Sequence, residues 1–334
     1  MLFRPPHCPY AACPSRTQGP FRPVPWGRFH RKCDGRSAPR FRCSACRRTF
    51  SSQSFRVDFR LQRPYLHLDL WAHIISKVTH RQAARVLGCD RKTVAHRLDL
   101  LGRHCRDFHL QRMAQRPRGL YDDEGFQLDE LETYEHRRRL QPLTVPVLIH
   151  KQSFFVVHAE VAPLPCRGGL SQRERKRKEH LEARFGKRRS GSRAAVQSCF
   201  ERLAPLFGRR SDVRVVTDHK STYPGCLQRA LGNRVRHVQE SSTRKRDREN
   251  PLFPINHTLA QMRDNVSRLV RRTWAASKQA ARLVHHQWLW ICWRNYVRGV
   301  TNEAPRTTPA MIVGAADHQL RREELLREAI DVAR

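Results

Sequence analysis

The chain lacks any run of about eighteen apolar residues, so we expect no membrane-spanning segment. Its start, MLFRPPHCPYAAC, lacks the apolar core of a signal peptide, and we therefore expect a cytoplasmic, nucleoid-associated protein. Acidic residues are also scarce, at 30 against 65 lysines and arginines, which gives a net charge of +35. Such a charge attracts polyanions, above all nucleic acid, but composition alone does not separate an enzyme from a ribosomal or chromatin-like basic protein.

Cysteine is sparse over most of the chain, yet five of the eleven cysteines fall between residues 8 and 46. In a protein without an export signal, such clustering favours metal binding over disulfides. Cys8 with Cys13, and Cys43 with Cys46, form two short knuckles that can hold structural Zn²⁺ through four thiolates. Cys33 is a possible substitute ligand, and the alternative is a set of scattered free thiols. We predict a zinc-ribbon-like module over residues 1–56.

Residues 57–110 carry a helix-turn-helix pattern in THRQAARVLGCDRKTVAHRLDLLGRHC. Gly88 suits the turn, where positive φ is needed, and Asp90 can cap the second helix. We expect a buried stripe formed by Val94, Leu98 and Leu101. The opposite face is predicted to present DNA-binding side chains to the major groove, namely Arg91, Lys92, Thr93, His96 and Arg97. The alternative is an ordinary helical hairpin with a solvated face.

After a basic linker, the pattern changes to strands that give way to helices. FQLDELETY, LTVPVLIH and SFFVVHAEVAP predict three neighbouring strands, and VRVVT and RVRHVQESS predict two more. SQRERKRKEHLEARF reads as an exposed charged helix, and the chain is predicted to be helical from Ile255 onward. The fold class expected is α+β and multi-domain, with a mixed α/β catalytic domain over 120–310 and a helical tail over 311–334.

Two aspartates stand out by position. Asp129 lies within the first strand of this region and Asp218 at the end of VRVVT. In an RNase H-like fold the first and fourth strands lie side by side, which would bring the two carboxylates together. Two such carboxylates can hold a pair of Mg²⁺ (or Mn²⁺) ions about 3.5–4 Å apart. The alternative is that each is a strand-end residue in a solvent-facing turn.

With these features, the chain resembles the DDE-type insertion-sequence transposases that begin with a zinc ribbon and a helix-turn-helix. The most specific segment is INHTLAQMRDNVSRLVRRTWAASK, which resembles that family's helix bearing the last catalytic acid. Asp129-Glu130 matches the first acidic motif, and Thr217-Asp218 with Tyr223 matches the second. The resemblance implies an RNase H-like core, Mg²⁺ or Mn²⁺, and cleavage and transfer of DNA strands.

The third acidic position departs from the family, because Asn256 stands where a glutamate is usual. An asparagine offers a carbonyl oxygen to a metal but no charge. Asn256 or its neighbour His257 can ligate metal in a variant triad, or a nearby acid, Asp264 or Glu249, can fill the role. The remaining possibility is an inactive copy.

The expected function is that of a transposase that recognises double-stranded DNA at element ends and at its target, acting as a homo-oligomer because two ends must be synapsed. Downstream basic side chains are expected to contact phosphates near the scissile bond, namely Arg268, Arg271 and Arg272. The main alternative is a DNA-binding regulator that has lost catalysis. A sequence-nonspecific RNA-binding protein is a third possibility.

Overall fold

The computed structural model describes residues 3–16, 21–208, 212–245, 247–271 and 274–328. Its amino-terminal part is a three-stranded antiparallel sheet with its own small apolar cluster. The strands are β1 (Pro23–His30), β2 (Ser37–Cys43) and β3 (Thr49–Ser51), in the order β1-β2-β3. Phe41, Phe50 and Phe55 pack beside the cysteines in this cluster. So few apolar side chains give a small core, and a bound metal would add substantially to its stability.

Three helices follow the small sheet. They are α1 (Leu66–Ile74), α2 (His80–Val86) and α3 (Arg91–Ala114). The break between α2 and α3 falls at the predicted place, with Gly88 at φ +57° and the Asp90 side chain accepting a hydrogen bond from Lys92 N–H at 2.6 Å. The linker predicted to begin at residue 111 starts later, because α3 continues to Ala114 and buries Met113.

The second sheet is mixed, and its strands lie where the sequence predicts them. Its main path runs β6-β5-β4-β8-β9, with the short β7 also paired to β5. β4 is antiparallel to β5 and parallel to β8, and β8 is parallel to β9. The strands are β4 (Phe126–Tyr134), β5 (Pro142–His150), β6 (Val156–Ala159), β7 (Ala162–Pro163), β8 (Val213–Thr217) and β9 (Val235–Gln239). The chain is therefore an α+β protein with a mixed sheet.

The remaining helices lie between and after these strands. They are α4 (Gln172–Phe185), α5 (Ser192–Glu201), α6 (Ala204–Phe207), α7 (Thr222–Leu231), α8 (Phe253–Asn265), α9 (Ala280–Cys292), α10 (Pro309–Ile312) and α11 (Arg322–Arg327). A π-helical turn, Trp293–Val297, extends α9. Helix α4 has no buried residue, as its charged sequence predicts.

The helix predicted from Ile255 onward does not run through to residue 270. Helix α8 ends at Asn265, whose side-chain amide donates to the Gln261 carbonyl while its own carbonyl accepts from Lys77 N–H. A 3₁₀ turn, Ser267–Leu269, then buries Leu269 without further α-helix. The apolar spacing in the sequence suits both arrangements, and tertiary contacts decide between them.

One hydrophobic core joins α1–α3 to the mixed sheet and to the helices that follow it. It includes Leu70, Leu98 and Phe108 from the early helices, and Phe126 and Trp290 from the rest. Helix α3 approaches α9 closely at Gly102, where an added Cβ would lie 2.4 Å from the Cβ of His285. The domain boundary predicted at residues 110–120 stays a prediction, because the hydrophobic core is continuous between the helices before it and the sheet after it.

Substituting Gly102 tests this close approach. Alanine favours a helix over glycine by about 1 kcal/mol, yet the clash with His285 should make Gly102→Ala destabilising by about 1–3 kcal/mol. The control is Gly168→Ala, whose new methyl group would meet open space. Urea unfolding should show a lower midpoint for Gly102→Ala alone. Equal midpoints would mean that α3 and α9 do not touch there.

Candidate functional site

The four cysteines of the two knuckles converge on one point. Cys8 Sγ lies 3.7 Å from Cys46 Sγ, and Cys13 Sγ lies 3.7 Å from Cys43 Sγ. All four sulfurs lie within 4.8 Å of one another. A tetrahedral ion with bonds of about 2.3 Å to sulfur needs sulfurs about 3.8 Å apart. The cluster therefore has the dimensions to hold a structural metal such as zinc, as the sequence predicts.

The cysteines of this cluster differ in acidity, because burial raises the pKa of Cys8 and of Cys46 whereas the pKa of Cys43 is lowered. Burial of Cys43 opposes ionisation, but the N–H groups of Cys46 and Ala45 point at its sulfur, and together these influences lower the pKa of Cys43 to about 7. Cys33 is not a member of the cluster, because its sulfur accepts instead from the Arg31 guanidinium at 3.4 Å. The alternative ligand considered from the sequence is thus excluded.

The two aspartates are brought together by the pairing of β4 with β8. Leu128 of β4 is the parallel partner of Thr217 of β8. Asp129 directly follows Leu128 in the sequence, and Asp218 directly follows Thr217. Neighbouring strands lie about 4.8 Å apart. Burial together with the negative charges of Glu130, Asp129 and Asp218 raises the pKa of Tyr223 far above its usual range. The predicted adjacency of the two strands is confirmed.

Helix α8 is held against the same part of β4 by a buried side chain, Gln127. Its Nε2 donates to the Pro251 carbonyl at 2.6 Å, and its Oε1 accepts from Ile255 N–H at 3.0 Å. Since side chains alternate along a strand, Asp129 points to the same face as Gln127. Asp129 and Asn256 accordingly line one pocket. Gln127 was missed by sequence reasoning, although a polar residue in a strand and in phase with Asp129 was a usable signal.

The candidates for the third position differ in where they lie. Asn256 and His257 line the pocket of Asp129, and His257 packs between the rings of Phe154 and Phe253. Asp264 lies elsewhere, 78% exposed and ion-paired with Lys77 at 3.3 Å. Glu249 is exposed and does not line this pocket.

A further acid, Asp247, does line this pocket but was missed by sequence reasoning. It belongs to a loop that Asn250 organises by donating from Nδ2 to the Lys245 carbonyl at 2.8 Å and accepting from Leu252 N–H. Nothing in the local sequence pattern distinguishes Asp247 from other exposed loop acids.

Glu130 has a different environment from its neighbour Asp129. Its carboxylate is nearly buried and accepts from Thr144 Oγ1 at 2.6 Å and from Ser192 Oγ at 2.8 Å. It is also ion-paired with Lys220 and accepts from the Tyr223 hydroxyl at 3.2 Å. Lys220 in turn donates its backbone N–H to Asp218 Oδ1 at 3.0 Å. Glu130 thus anchors the loop that carries Asp218.

Among the residues that the structure describes, the four-cysteine cluster is the only group of three or more His, Cys, Asp or Glu side chains close enough to share a metal ion. Within this part of the chain, Asp129 and Asp218 therefore do not form such a group with a third acid. The pocket of Asp129 is lined by Glu130, Asp247 and the neutral amide of Asn256, and Asp218 is not part of its lining.

The residues predicted to face DNA on α3 divide into two groups. Arg91, Lys92 and His96 are exposed and Thr93 is half-buried, whereas the predicted stripe of Val94, Leu98 and Leu101 is buried. Lys92, Thr93 and His96 line one groove on the surface of α3. Two arginines from the loop before α1, Arg60 and Arg63, line the same groove and were missed by sequence reasoning.

The predicted outward orientation of Arg97 is wrong. Its side chain is 5% exposed and donates from Nη1 to His67 Nε2 at 2.9 Å and from Nη2 to the Arg63 carbonyl. Burial, with the charge of Arg97, lowers the pKa of His67 to about 3, so this histidine is neutral and can accept that hydrogen bond. Arg97 joins α3 to α1, and although it lines the groove, its guanidinium is bonded to His67 and to the Arg63 carbonyl and is not presented outward.

The three arginines predicted to contact phosphates near the scissile bond differ in their environments. Arg268 is 8% exposed and donates to His80 Nε2 at 3.0 Å, and burial lowers its pKa to about 10, so its predicted phosphate contact is wrong. Arg271 is exposed and lines the pocket of Asp129, together with Arg263. Arg272 lies outside the described residues.

Comparisons with known proteins give no family: no family model, curated protein or solved structure matches this chain. In the described part of the chain, no helix has both the length and the apolar character needed to cross a bilayer.

Replacing single cysteines tests the four-sulfur cluster. Cys46→Ser should weaken zinc binding by more than about 100-fold, since losing a residue that merely supports a ligand already costs about 10- to 100-fold. Cys33→Ser is the matched control, because Cys33 lies outside the cluster, and it should keep its zinc. Metal content by mass spectrometry, before and after dialysis against a chelator, measures both. Zinc loss from Cys33→Ser with retention in Cys46→Ser would contradict the assignment.

Proposed function

We propose that this chain is a DDE-type insertion-sequence transposase, which binds the ends of a mobile DNA element and cuts and joins DNA strands with divalent metal. Within this proposal, residues 1–56 form a zinc ribbon, α2 and α3 a helix-turn-helix, and the mixed sheet with its helices an RNase H-like catalytic domain. The strand order supports the last assignment, since three antiparallel strands are followed by two parallel ones on the other side of β4.

One observation carries the proposal. The pairing of β4 with β8 ends at Leu128 and Thr217, the residues directly before Asp129 and Asp218, and Gln127 bonds to the first turn of α8, whose Asn256 lines the pocket of Asp129. Three sequence segments that resemble the three acidic motifs of the family thus belong to neighbouring elements, which supports the proposal. Independent strands and loops would have no reason to produce this arrangement.

The residues present suit a divalent cation that prefers oxygen ligands. Asp129, Asp218 and the Asn256 carbonyl oxygen would hold Mg²⁺ or Mn²⁺, which supplies charge stabilisation and activation of an attacking oxygen. Arg271 and Arg263 line the same pocket and would orient a phosphate of the DNA backbone. Lys220, bound to Glu130, would keep the Asp218 loop in place.

The second candidate function is a DNA-binding regulator without catalysis. The observation that favours it is the neutral side chain of Asn256 at the third position, because two carboxylates and an amide hold Mg²⁺ less tightly than three carboxylates. Both candidates share the exposed cations of α3 as a DNA-binding surface.

A nicking and joining assay distinguishes the two functions. Its substrate is DNA that carries the inverted repeats flanking the reading frame. For a transposase, Mg²⁺-dependent nicking should occur and should fall by at least about 1,000-fold in Asp129→Ala and in Asp218→Ala, since each removes a ligand of the ion that stabilises developing charge. Asp264→Ala is the control and should retain activity, because Asp264 pairs with Lys77 away from the pocket. Full activity in Asp218→Ala would refute the site.

Restoring the charge at the third position is the complementary measurement. Asn256→Glu should lower the Mg²⁺ concentration needed for half-maximal nicking by about tenfold, because a third negative charge adds attraction to the cation. Asn256→Gln is the matched control, with the same length and no charge. If neither protein nicks DNA while both bind it as the wild type does, the regulator is the correct function.

DNA-binding and folding roles should separate on α3. Lys92→Ala should weaken duplex binding without changing the free energy of unfolding, since Lys92 is exposed. Arg97→Ala should destabilise the fold by about 2–3 kcal/mol, because it leaves buried acceptors unpaired. Titration of a labelled duplex and urea unfolding of both variants measure this. Unchanged stability in Arg97→Ala would contradict its role in joining α3 to α1.

A further inference from the structure

Helix α4 lies outside the core, and its stability needs an explanation. It spans Gln172–Phe185, and none of its residues is buried. An isolated helix of this length is marginal in water. A capping box between Ser171 and Glu174 and an i,i+4 pair between Lys178 and Glu182 support it locally. Because α4 is stabilised locally and packs on no other element with a buried side chain, its exposed face is available to a binding partner.

One face of α4 carries basic side chains only among its charged residues, whereas the acidic side chains lie on the other side together with Arg175 and Lys178. At 100° per residue, the basic side chains at positions 173, 176, 177 and 180 fall within about 100° of one another. Arg173, Lys176, Arg177 and His180 are all exposed. The acidic side chains at 174, 179 and 182 lie on the other side of the helix. This basic face is about 10 Å long, at 1.5 Å per residue, and duplex DNA carries a negative charge for every 1.7 Å of its axis.

Both ends of α4 are fastened to the β4–β5 hairpin, whose first strand carries Asp129. Before the helix, Arg167 is ion-paired with Glu132 of β4. After it, Arg188 donates to the Pro142 carbonyl at 3.0 Å and is ion-paired with Glu135. Glu132 lies three residues beyond Asp129, which is about 10 Å along β4, and its side chain leaves the strand on the other face. The base of α4 is therefore fastened to the same strand as the proposed catalytic pocket.

A continuous basic surface joins the two places. Arg263 and Arg271 line the pocket of Asp129, and they also line a neighbouring groove with Arg138 and Arg167. A polyanion with a phosphate at Asp129 could follow this groove to the base of α4.

We propose that the basic face of α4, formed by Arg173, Lys176, Arg177 and His180, is a clamp for the phosphate backbone of double-stranded DNA beside the catalytic pocket. This inference rests on the proposed function for its partner, and charge complementarity selects that partner. The contacts are to phosphates, so they hold the duplex at the pocket without reading its sequence.

The salt dependence of binding tests the clamp. The triple variant Arg173→Gln, Lys176→Gln, Arg177→Gln should bind a random-sequence duplex on the order of 100-fold more weakly at 0.1 M KCl, and its slope of log K against log[KCl] should be shallower by about 2 to 3, since each phosphate contact contributes about 0.9. The matched control neutralises the same charge at exposed positions outside α4, as Arg103→Gln, Arg118→Gln, Arg306→Gln. It should change the slope by less than about 1.

Binding is measured with full-length, zinc-loaded protein and without added Mg²⁺ or Mn²⁺, so the outcome does not depend on cleavage and the four-cysteine cluster keeps its metal. Circular dichroism confirms that α4 is retained in the variant. Equal slopes for the triple variant, the control and the wild type would overturn the clamp. Loss of single-stranded RNA binding with duplex binding retained would also overturn it. So would a lower sedimentation mass of the free variant with unchanged duplex affinity, which would assign α4 to a second copy of the chain. If the clamp variant loses binding while the wild type never nicks DNA, the clamp stands and the catalytic proposal fails.

Discussion

The parallel pairing of β4 with β8 is the constraint on which the candidate site depends. β4 is flanked by β5 on its other side, and every residue of β5 is buried. A slip of one residue in β4 would exchange its two faces and drive Asp129 into the side that packs on α5 and α7. The register of Leu128 against Thr217 is therefore fixed by the core. Gln127 adds the third element, because its buried amide is satisfied only when the first turn of α8 is in place.

Two neighbouring acids on one strand consequently have different roles. Glu130 has its oxygens occupied by Thr144, Ser192, Tyr223 and Lys220, so its negative charge is neutralised and it serves as an anchor. Asp129 faces a pocket that also contains arginines.

A second group of polar side chains is structural although its order suggests catalysis. Ser153 Oγ lies 2.8 Å from His150 Nδ1, and His150 Nε2 lies 2.9 Å from Asp122 Oδ1. This set has the order of a nucleophilic triad, but Ser153 and His150 have no exposed surface, and the set closes the β5–β6 hairpin.

Much of the fold could be predicted from the sequence, because strand alternation, the cysteine spacing and the Gly88–Asp90 turn are local signals. The strands β4, β8 and β9 lie where alternation and apolar runs predict them. Arg97 and Arg268 could not be predicted correctly, since their partners His67 and His80 come from other segments of the chain. Charge alone favoured an exposed position for both. Asp247 was missed because its place in the pocket follows from the loop that precedes α8. Gln127 was missed although its position in phase with Asp129 was a usable signal, since its partners Pro251 and Ile255 come from a distant segment.

The neutral Asn256 changes the charge balance of the pocket more than its geometry. Asp129 and Asp247 contribute negative charge, Glu130 is ion-paired with Lys220, and Arg263 and Arg271 contribute positive charge to its wall. A glutamate at position 256 would tip this balance toward a cation, whereas the amide leaves it close to neutral. Phosphate binding depends on the arginines and on the net charge of +35, so it is independent of residue 256. In the proposed function, contact with the DNA backbone would therefore depend on these arginines and not on residue 256, and a copy that had lost catalysis would still bind DNA.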